Sequence, residues 1–174
     1  MTSFGRVTLR RVEPHDYPLI KDWQNDPEIF PRMDYQRPFS LEDIRKAEEH
    51  GAEKEYPFVI EAGGNPIGRC GLFGVRWRDR TAGLYIFIGA KEAWGKGYGK
   101  DAIRALLSYA FETLNLSLVQ LYSLGDNDRA IRMYKSLGFL EEARLRDRSF
   151  IEGRFVEHVV MSITREEFGR SLES

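Results

Sequence analysis

A single cysteine, Cys70, stands among the 174 residues, so no internal disulfide and no multi-cysteine metal site can form. Histidine is nearly as scarce. His15, His50 and His158 are scattered, without the spacing of metal ligands. No apolar run approaches the length of a membrane span. The segment from Met1 to Val12 alternates arginines with apolar residues and lacks the apolar core of a signal peptide. Neither sign of charge is in excess. Twenty-six Lys and Arg face 27 Asp and Glu, a net charge of -1, so there is no global field to attract nucleic acid or an anionic membrane. These absences lead us to expect a soluble, reduced, cytoplasmic protein with no metal, no nucleic-acid partner and no membrane partner.

What is present is an ordinary globular composition, 42% hydrophobic, 13% aromatic and 30% charged. The length fits one domain over 1–174, large enough to bury a core without staples. There are no repeats, low-complexity tracts or linkers. Alternation from Val7 to Val12 predicts a half-buried strand. Pro14 opens a helix with Tyr17, Ile20 and Trp23 on its buried face, and Asn25-Asp26-Pro27 stops it. Pro27, Pro31 and Pro38 make the next stretch an irregular loop. Ser40 with Asp43 caps a second, highly charged helix that runs to Gly51.

From Tyr56 the period changes to that of strands. Phe58 to Ile60, Ile67 to Val75 and Ala82 to Ile88 read as strands joined by turns at Gly63-Gly64 and Arg78-Asp79-Arg80. A glycine-rich corner, Gly95 to Gly99, leads into a helix with Ala102, Ile103, Leu106, Leu107, Ala110 and Phe111 on one face. Leu118 to Leu124 is a strand, Asn127 caps a helix closed by Gly138, and strands near 140–147 and 155–163 follow. The last ten residues, 165–174, read as a short frayed helix. The pattern is one mixed α/β domain, mostly antiparallel, with a central strand–loop–helix.

The corner reads Trp94-Gly95-Lys96-Gly97-Tyr98-Gly99-Lys100. Glycines there let successive amides turn toward one anion, and the helix N-terminus strengthens that preference. By themselves the glycines are equally consistent with a tight strand-to-helix turn. The dinucleotide fingerprint does not fit, because the spacing is G-x-G-x-G and lies past mid-chain. A P-loop needs Ser or Thr after its lysine, and Lys100 is followed by Asp101. That argues against an ATP-binding protein.

Twenty-eight residues beyond Gly99 begins Asn127-Asp128-Arg129-Ala130-Ile131-Arg132-Met133-Tyr134-Lys135-Ser136-Leu137-Gly138-Phe139. Together the two segments resemble the GNAT superfamily of acetyl-CoA-dependent N-acetyltransferases. That family's corner is Q/R-x-x-G-x-G/A, and its later segment is N-x-x-A-x-x-x-Y-x-x-x-G-F. The second is matched in full; the first lacks its opening Gln or Arg. The opening V-T-L-R-R-V-E and Trp23-Gln24-Asn25-Asp26-Pro27 are similar to the branch holding ribosomal-protein N-terminal and spermidine acetyltransferases. The resemblance implies a central mixed, largely antiparallel twisted sheet flanked by helices and splayed at the strand before the corner.

It also implies roles. The backbone of Phe87, Ile88 and Gly89 would pair with the pantetheine arm of acetyl-CoA. The pyrophosphate would sit on the corner, Trp94, Gly95, Lys96, Gly97, Tyr98 and Gly99, with Lys100 at the helix start. Asn127 would hydrogen-bond pantetheine, a role compatible with a plain helix cap. Arg129 and Lys135 would reach the nucleotide phosphates, although exposed basic residues are commonly just solvated. Tyr134 would protonate the departing thiolate, since a phenol's pKa of about 10 lies near that of a thiol. The alternative for Tyr134 is a buried ring bonded to a carbonyl. The expected activity is direct acetyl transfer to a primary amine, of a polyamine-like molecule, amino sugar, antibiotic or protein N-terminus. The competing reading is a noncatalytic acyl-CoA-binding sensor. It gains from Gly83, which stands where relatives often carry a glutamate base.

Acceptor selection should lie in the first two helices. Between Glu13 and Glu55 there are 12 acidic residues and 6 Lys and Arg, a surplus suited to a cation or to solvated helix faces. Trp23, Phe30, Met33, Tyr35 and Phe39 are either a pocket wall or a satellite core. Arg144, Arg146, Arg148 and Arg154 offer a place for an anionic acceptor. Cys70, within a strand, reads as a buried structural thiol rather than a nucleophile. A homo-oligomer is compatible with the sequence.

Overall fold

The computed structural model describes residues 2–33, 35, 37–50 and 55–173, without the side chains of His50 and Glu173. Eight strands among these residues form one sheet in the order β1-β2-β3-β4-β5-β6-β8-β7. They are β1 (Thr2–Phe4), β2 (Val7–Arg11), β3 (Tyr56–Ala62), β4 (Asn65–Arg76), β5 (Thr81–Ile88), β6 (Leu118–Leu124), β7 (Leu140–Ile151) and β8 (Arg154–Thr164). All neighbouring pairs are antiparallel except β5 and β6. A parallel pair needs a long crossover. It is supplied by α3 (Tyr98–Ser108) and a π-helical turn at Tyr109–Thr113. The other helices are α1 (Tyr17–Gln24), α2 (Leu41–His50), α4 (Asp128–Lys135) and α5 (Arg165–Glu173).

The main core lies between one face of the sheet and α3, α4 and α5. The apolar stripe of α3 delivers Ala102, Ile103, Leu106 and Leu107, all inaccessible to solvent. They meet Leu84, Val119, Leu121, Val159 and Met161 from the strands. Alternation sends Phe87 to the opposite face, where it joins Trp23 and Ile29 in a smaller cluster. Trp23 and Phe87 meet edge to face at 6.4 Å.

The two faces of β5 therefore serve different helices. The β5–β6 ladder holds only at Thr81↔Leu118, Ala82↔Val119 and Gly83↔Gln120. From Leu84 onward the two strands part, which is the expected splay.

Several elements differ from the sequence reading. A first strand, β1, precedes the expected one and pairs with it, Thr2↔Leu9. The segment expected to fray is a formed helix. Phe168 is buried and stacks on Phe111 at 5.6 Å, and Arg165 donates to the Leu116 carbonyl at 2.8 Å. The Glu167 carboxylate accepts from the Thr164 amide and hydroxyl, both at 2.8 Å. The Ser40–Asp43 capping box is present, with Asp43 N–H donating to Ser40 Oγ at 3.1 Å and Ser40 N–H to Asp43 Oδ2 at 2.8 Å. Gly51, expected to end that helix, lies outside the described residues.

Candidate active site

The corner leaves β5 through a short 3-10 turn at Lys91–Ala93. Gly95 and Gly97 adopt φ of 78° and 84°, in the left-handed region that glycine enters without a Cβ penalty. Among the described hydrogen bonds, none is donated by the five consecutive amides of Gly95 to Gly99. The Gly97 carbonyl instead accepts from Lys100 at 3.0 Å and Asp101 at 3.3 Å, starting α3. Five free N–H groups at a helix N-terminus form the anion-binding nest expected from the sequence.

Around the nest stand four cations. Lys100 lines the cavity beside it, and Lys96 is exposed on the corner. The guanidinium of Arg129 comes within 3.8 Å of the position a Cβ on Gly95 would take. Arg6, unmarked by any motif, reaches the corner from the β1–β2 turn. Lys135 does not take part: it pairs with Glu141 at 3.0 Å and lines neither cavity. Its expected phosphate role is therefore withdrawn.

Strand parity corrects the pantetheine track as well. The Gly89 amide donates to the Ile67 carbonyl at 2.9 Å, and Phe87 lies opposite Arg69 in the β4–β5 ladder. Residues 87 and 89 thus turn their main-chain groups toward β4, leaving those of Ile86 and Ile88 to face the splay. The Ile88 carbonyl is already taken by the indole N–H of Trp94 at 2.8 Å. Trp94, which breaks the family's corner pattern, so ties the corner to the strand. Gly89 is small for another reason: a Cβ there would run into the Trp23 ring.

Two cavities open along this track. The smaller, about 510 Å³, lies over the corner between α3 and α4, with Lys100 and Met133 in its wall. The larger, about 1000 Å³, runs from α4 to the loop after α1. Both are lined by Ile86, Phe87, Trp94, Asn127, Arg129 and Tyr134, so they are two ends of one groove with those residues at the junction.

Asn127 and Tyr134 are placed there by α4. Asn127 Oδ1 accepts from the Ala130 amide at 3.2 Å, capping the helix and leaving its NH2 group available to a ligand. Tyr134 lies two turns on, 8% exposed, with its ring against Phe139 at 5.7 Å. Its hydroxyl has no hydrogen-bond partner among the described residues, so the carbonyl-bonded alternative is not what forms. Burial pushes its phenol up to about 12. At neutral pH the group is a proton donor facing the junction.

The far wall of the larger cavity comes from Glu28, Ile29, Arg32 and Met33 after α1, from Phe73 and Tyr85, and from Tyr122, Asp126 and His158. Met33 faces it, and Trp23 backs it through Ile29 and Phe87. Phe30, Tyr35 and Phe39 line neither cavity. Tyr35 instead stacks between the other two at 5.9 Å and 4.9 Å, which settles these three as a satellite core.

At Gly83, a Cβ would enter the Phe73 ring, so packing excludes a glutamate there unless Phe73 moves. Cys70 is fully buried, and burial drives its thiol well above its ordinary pKa, as fits a structural residue. None of Arg144, Arg146, Arg148 or Arg154 lines either cavity. Arg144 holds Glu141 at 2.7 Å and Glu157 at 2.6 Å, and Arg154 holds Asp126. Their expected role with an anionic acceptor is therefore not supported by the geometry.

The acidic surplus is largely consumed internally. Asp16 is gripped by Arg10 at 2.7 and 2.8 Å, Glu48 by buried Arg69, and Asp26 and Glu28 by Lys91 at 3.0 and 2.6 Å.

A family model described as an acetyltransferase (GNAT) domain matches residues 6–140. The spermidine N(1)-acetyltransferase of Vibrio cholerae is 31% identical over 169 residues, covering 94% of this chain and 96% of that protein. A crystal structure of spermidine N-acetyltransferase from Vibrio cholerae in complex with CoA and spermine superposes with a TM-score of 0.89. It is 30% identical and covers 94% of this chain and 98% of its own. A dodecameric structure of the Vibrio cholerae spermidine N-acetyltransferase superposes with a TM-score of 0.81, at 29% identity over 94% of this chain and 96% of its own.

Proposed function

Because the chain belongs to the GNAT acetyltransferases and moves acetyl from acetyl-CoA to an amine, we propose that its acceptor is an aliphatic polyamine of the spermidine type. The observation that carries this reading is the larger end of the groove. Its wall alternates apolar surface from Ile29, Met33, Phe73 and Phe87 with carboxylates at Glu28, Asp126 and Asp128. Methylene segments suit the first and ammonium groups the second. The likeness to enzymes described as acting on spermidine supports it independently.

In this reading the pyrophosphate of acetyl-CoA rests on the amides of Gly95 to Gly99, with Lys100 and Arg129 beside it. The pantetheine follows the free edge of β5 at Ile86 and Ile88 and meets the NH2 of Asn127. This brings the thioester to the junction. The acceptor nitrogen, arriving unprotonated, attacks the carbonyl carbon. The tetrahedral adduct gives up one ammonium proton to water, and the carbon–sulfur bond breaks. Tyr134 Oη–H delivers its proton to the leaving sulfur and is reprotonated from solvent, so the products are an amide and free CoA thiol. No carboxylate stands at residue 83, so the free-amine fraction of the acceptor sets the supply of nucleophile.

The related dodecamer supports an assembly of several copies of this chain as well. The test of the acceptor class is a series of diamines against monoamines of equal chain length. A kcat/KM about tenfold or more in favour of the diamines is expected if the distal ammonium meets a rim carboxylate. Equal values across the two series would reject a polyamine acceptor.

A further inference from the structure

The β1–β2 turn is built against the first turn of α3. Gly5 has φ of 57°, and a Cβ there would stand 3.0 Å from the carboxylate carbon of Asp101, so the turn needs glycine on two counts. The next residue, Arg6, donates from Nε to Asp101 Oδ2 at 3.0 Å. Its guanidinium lies over the Tyr98 ring, 4.9 Å from the centroid. Nη2 is 2.9 Å from the position a Cβ on Gly97 would occupy. Neither Nη nitrogen has a hydrogen-bond partner among the described residues. A cation is thus oriented by an anion and an aromatic face, with its unused donors beside five free amides.

We propose that Arg6 is a phosphate-binding residue of the acetyl-CoA site, and that Asp101 is the positioning residue that aims it. The proposal rests on the reading that the corner holds the pyrophosphate of acetyl-CoA. Two effects act together. Planar guanidinium donors match phosphate oxygens, and the stack on Tyr98 reduces the entropy lost on binding. Arg6 also neutralises Asp101, whose carboxylate in the first turn of α3 would otherwise repel the phosphates from close range. The N-terminal hairpin so becomes part of the cosubstrate site, although it carries no motif.

The test is calorimetry of CoA and dephospho-CoA, which lacks the 3′-phosphate but keeps the pyrophosphate, against wild type, Arg6→Ala and Arg6→Ala/Asp101→Asn. Turnover with S-acetylpantetheine, which lacks both phosphates, is followed in parallel. Arg6→Ala should weaken CoA and dephospho-CoA alike by about tenfold, the lower end for a charge-assisted hydrogen bond because Arg6 is partly exposed. Turnover with S-acetylpantetheine should stay unchanged, and the double variant should recover part of the lost affinity.

Unchanged CoA affinity in Arg6→Ala would overturn the proposal. So would a loss confined to CoA, which would move Arg6 to the 3′-phosphate, or an equal loss with S-acetylpantetheine, which would make Arg6 merely structural. Failure of the wild-type protein to bind CoA at all would refute the corner reading itself, a distinct result.

Discussion

Replacing Tyr134 with phenylalanine should separate chemistry from packing unusually cleanly in this protein. The ring stays against Phe139, and the hydroxyl gives up no protein hydrogen bond among the described residues. A bonded hydroxyl would contribute about 0.5–1.5 kcal/mol. At about 2–4 °C per kcal/mol for a chain of this size, its loss would show as a clear fall in Tm. Here the expected change in Tm at neutral pH is close to zero.

The catalytic loss should instead be large. General-acid assistance contributes about 10²–10⁴-fold, which corresponds to about 3–5 kcal/mol of barrier. Acetyl-CoA affinity should hold, because the corner and the β5 edge are untouched. At alkaline pH the sign reverses in favour of the variant. Burial raises the phenol to about 12, so its contribution to stability is complete below its ordinary value of about 10 and is lost as pH rises through 12. Tyr134→Phe should therefore lose less stability than wild type over that window. Steady-state kinetics, calorimetry and melts at two pH values read all of this. A folded variant with wild-type kcat would refute the acid assignment, and a neutral-pH Tm drop of several degrees would refute the unbonded hydroxyl.

Gly99→Val tests the corner better than a change at Gly97, whose φ of 84° and closeness to Arg6 would strain any side chain. At Gly99 a Cβ meets only Met133 Sδ, at 3.8 Å, so the added methyls should fill the smaller cavity and abolish acetyl-CoA binding without unfolding. Trp94→Phe loses the bond to the Ile88 carbonyl, about 0.5–1.5 kcal/mol, and calorimetry should find acetyl-CoA binding weaker by about two- to tenfold. Asp16→Asn breaks the grip of Arg10. Burial alone would raise the Asp16 pKa, but hydrogen bonds from Arg10 and the Glu13 amide outweigh it and hold it below the usual carboxylate range. Its contribution, about 2–3 kcal/mol, is thus present above a pH of about 4 and is lost as pH falls through the depressed value. Melts of the two proteins should differ by several degrees at neutral pH and converge in strong acid. Acetylation at subsaturating acceptor should rise from mildly acidic to alkaline pH, and a flat profile would point to an enzyme base.

The parts of the site legible in the sequence are those whose signal is local. Gly95 to Gly99 and Asn127 to Phe139 each lie within one turn or helix, so spacing alone places their amides and side chains. The acceptor wall was only partly legible, because Met33 faces the cavity while Phe30, Tyr35 and Phe39 pack on one another. Arg6 was invisible because its partner Asp101 is 95 residues away and the hairpin that carries it is five residues from the start of the chain. The shift from Phe87 and Gly89 to Ile86 and Ile88 depends on which neighbour each peptide group faces, and that register is set by β4 rather than by β5. Glu48 and Arg69 form a buried pair across the sheet that charge counting reads as two solvated residues. Helix α5 was misread for a related reason. Its composition is polar, and only Phe168 and the Thr164–Glu167 cap reveal that it docks.

The central claim, acetyl transfer from acetyl-CoA to a polyamine at the Tyr134 junction, is tested most directly by thiol release. Acetyl-CoA is mixed with spermidine and either wild type or Tyr134→Phe, and the product is weighed by mass spectrometry. The account predicts thiol released in step with monoacetylated spermidine, and a rate about 10²–10⁴-fold lower for the variant. Silence with spermidine alongside brisk acetylation of a peptide N-terminus or an amino sugar would contradict it.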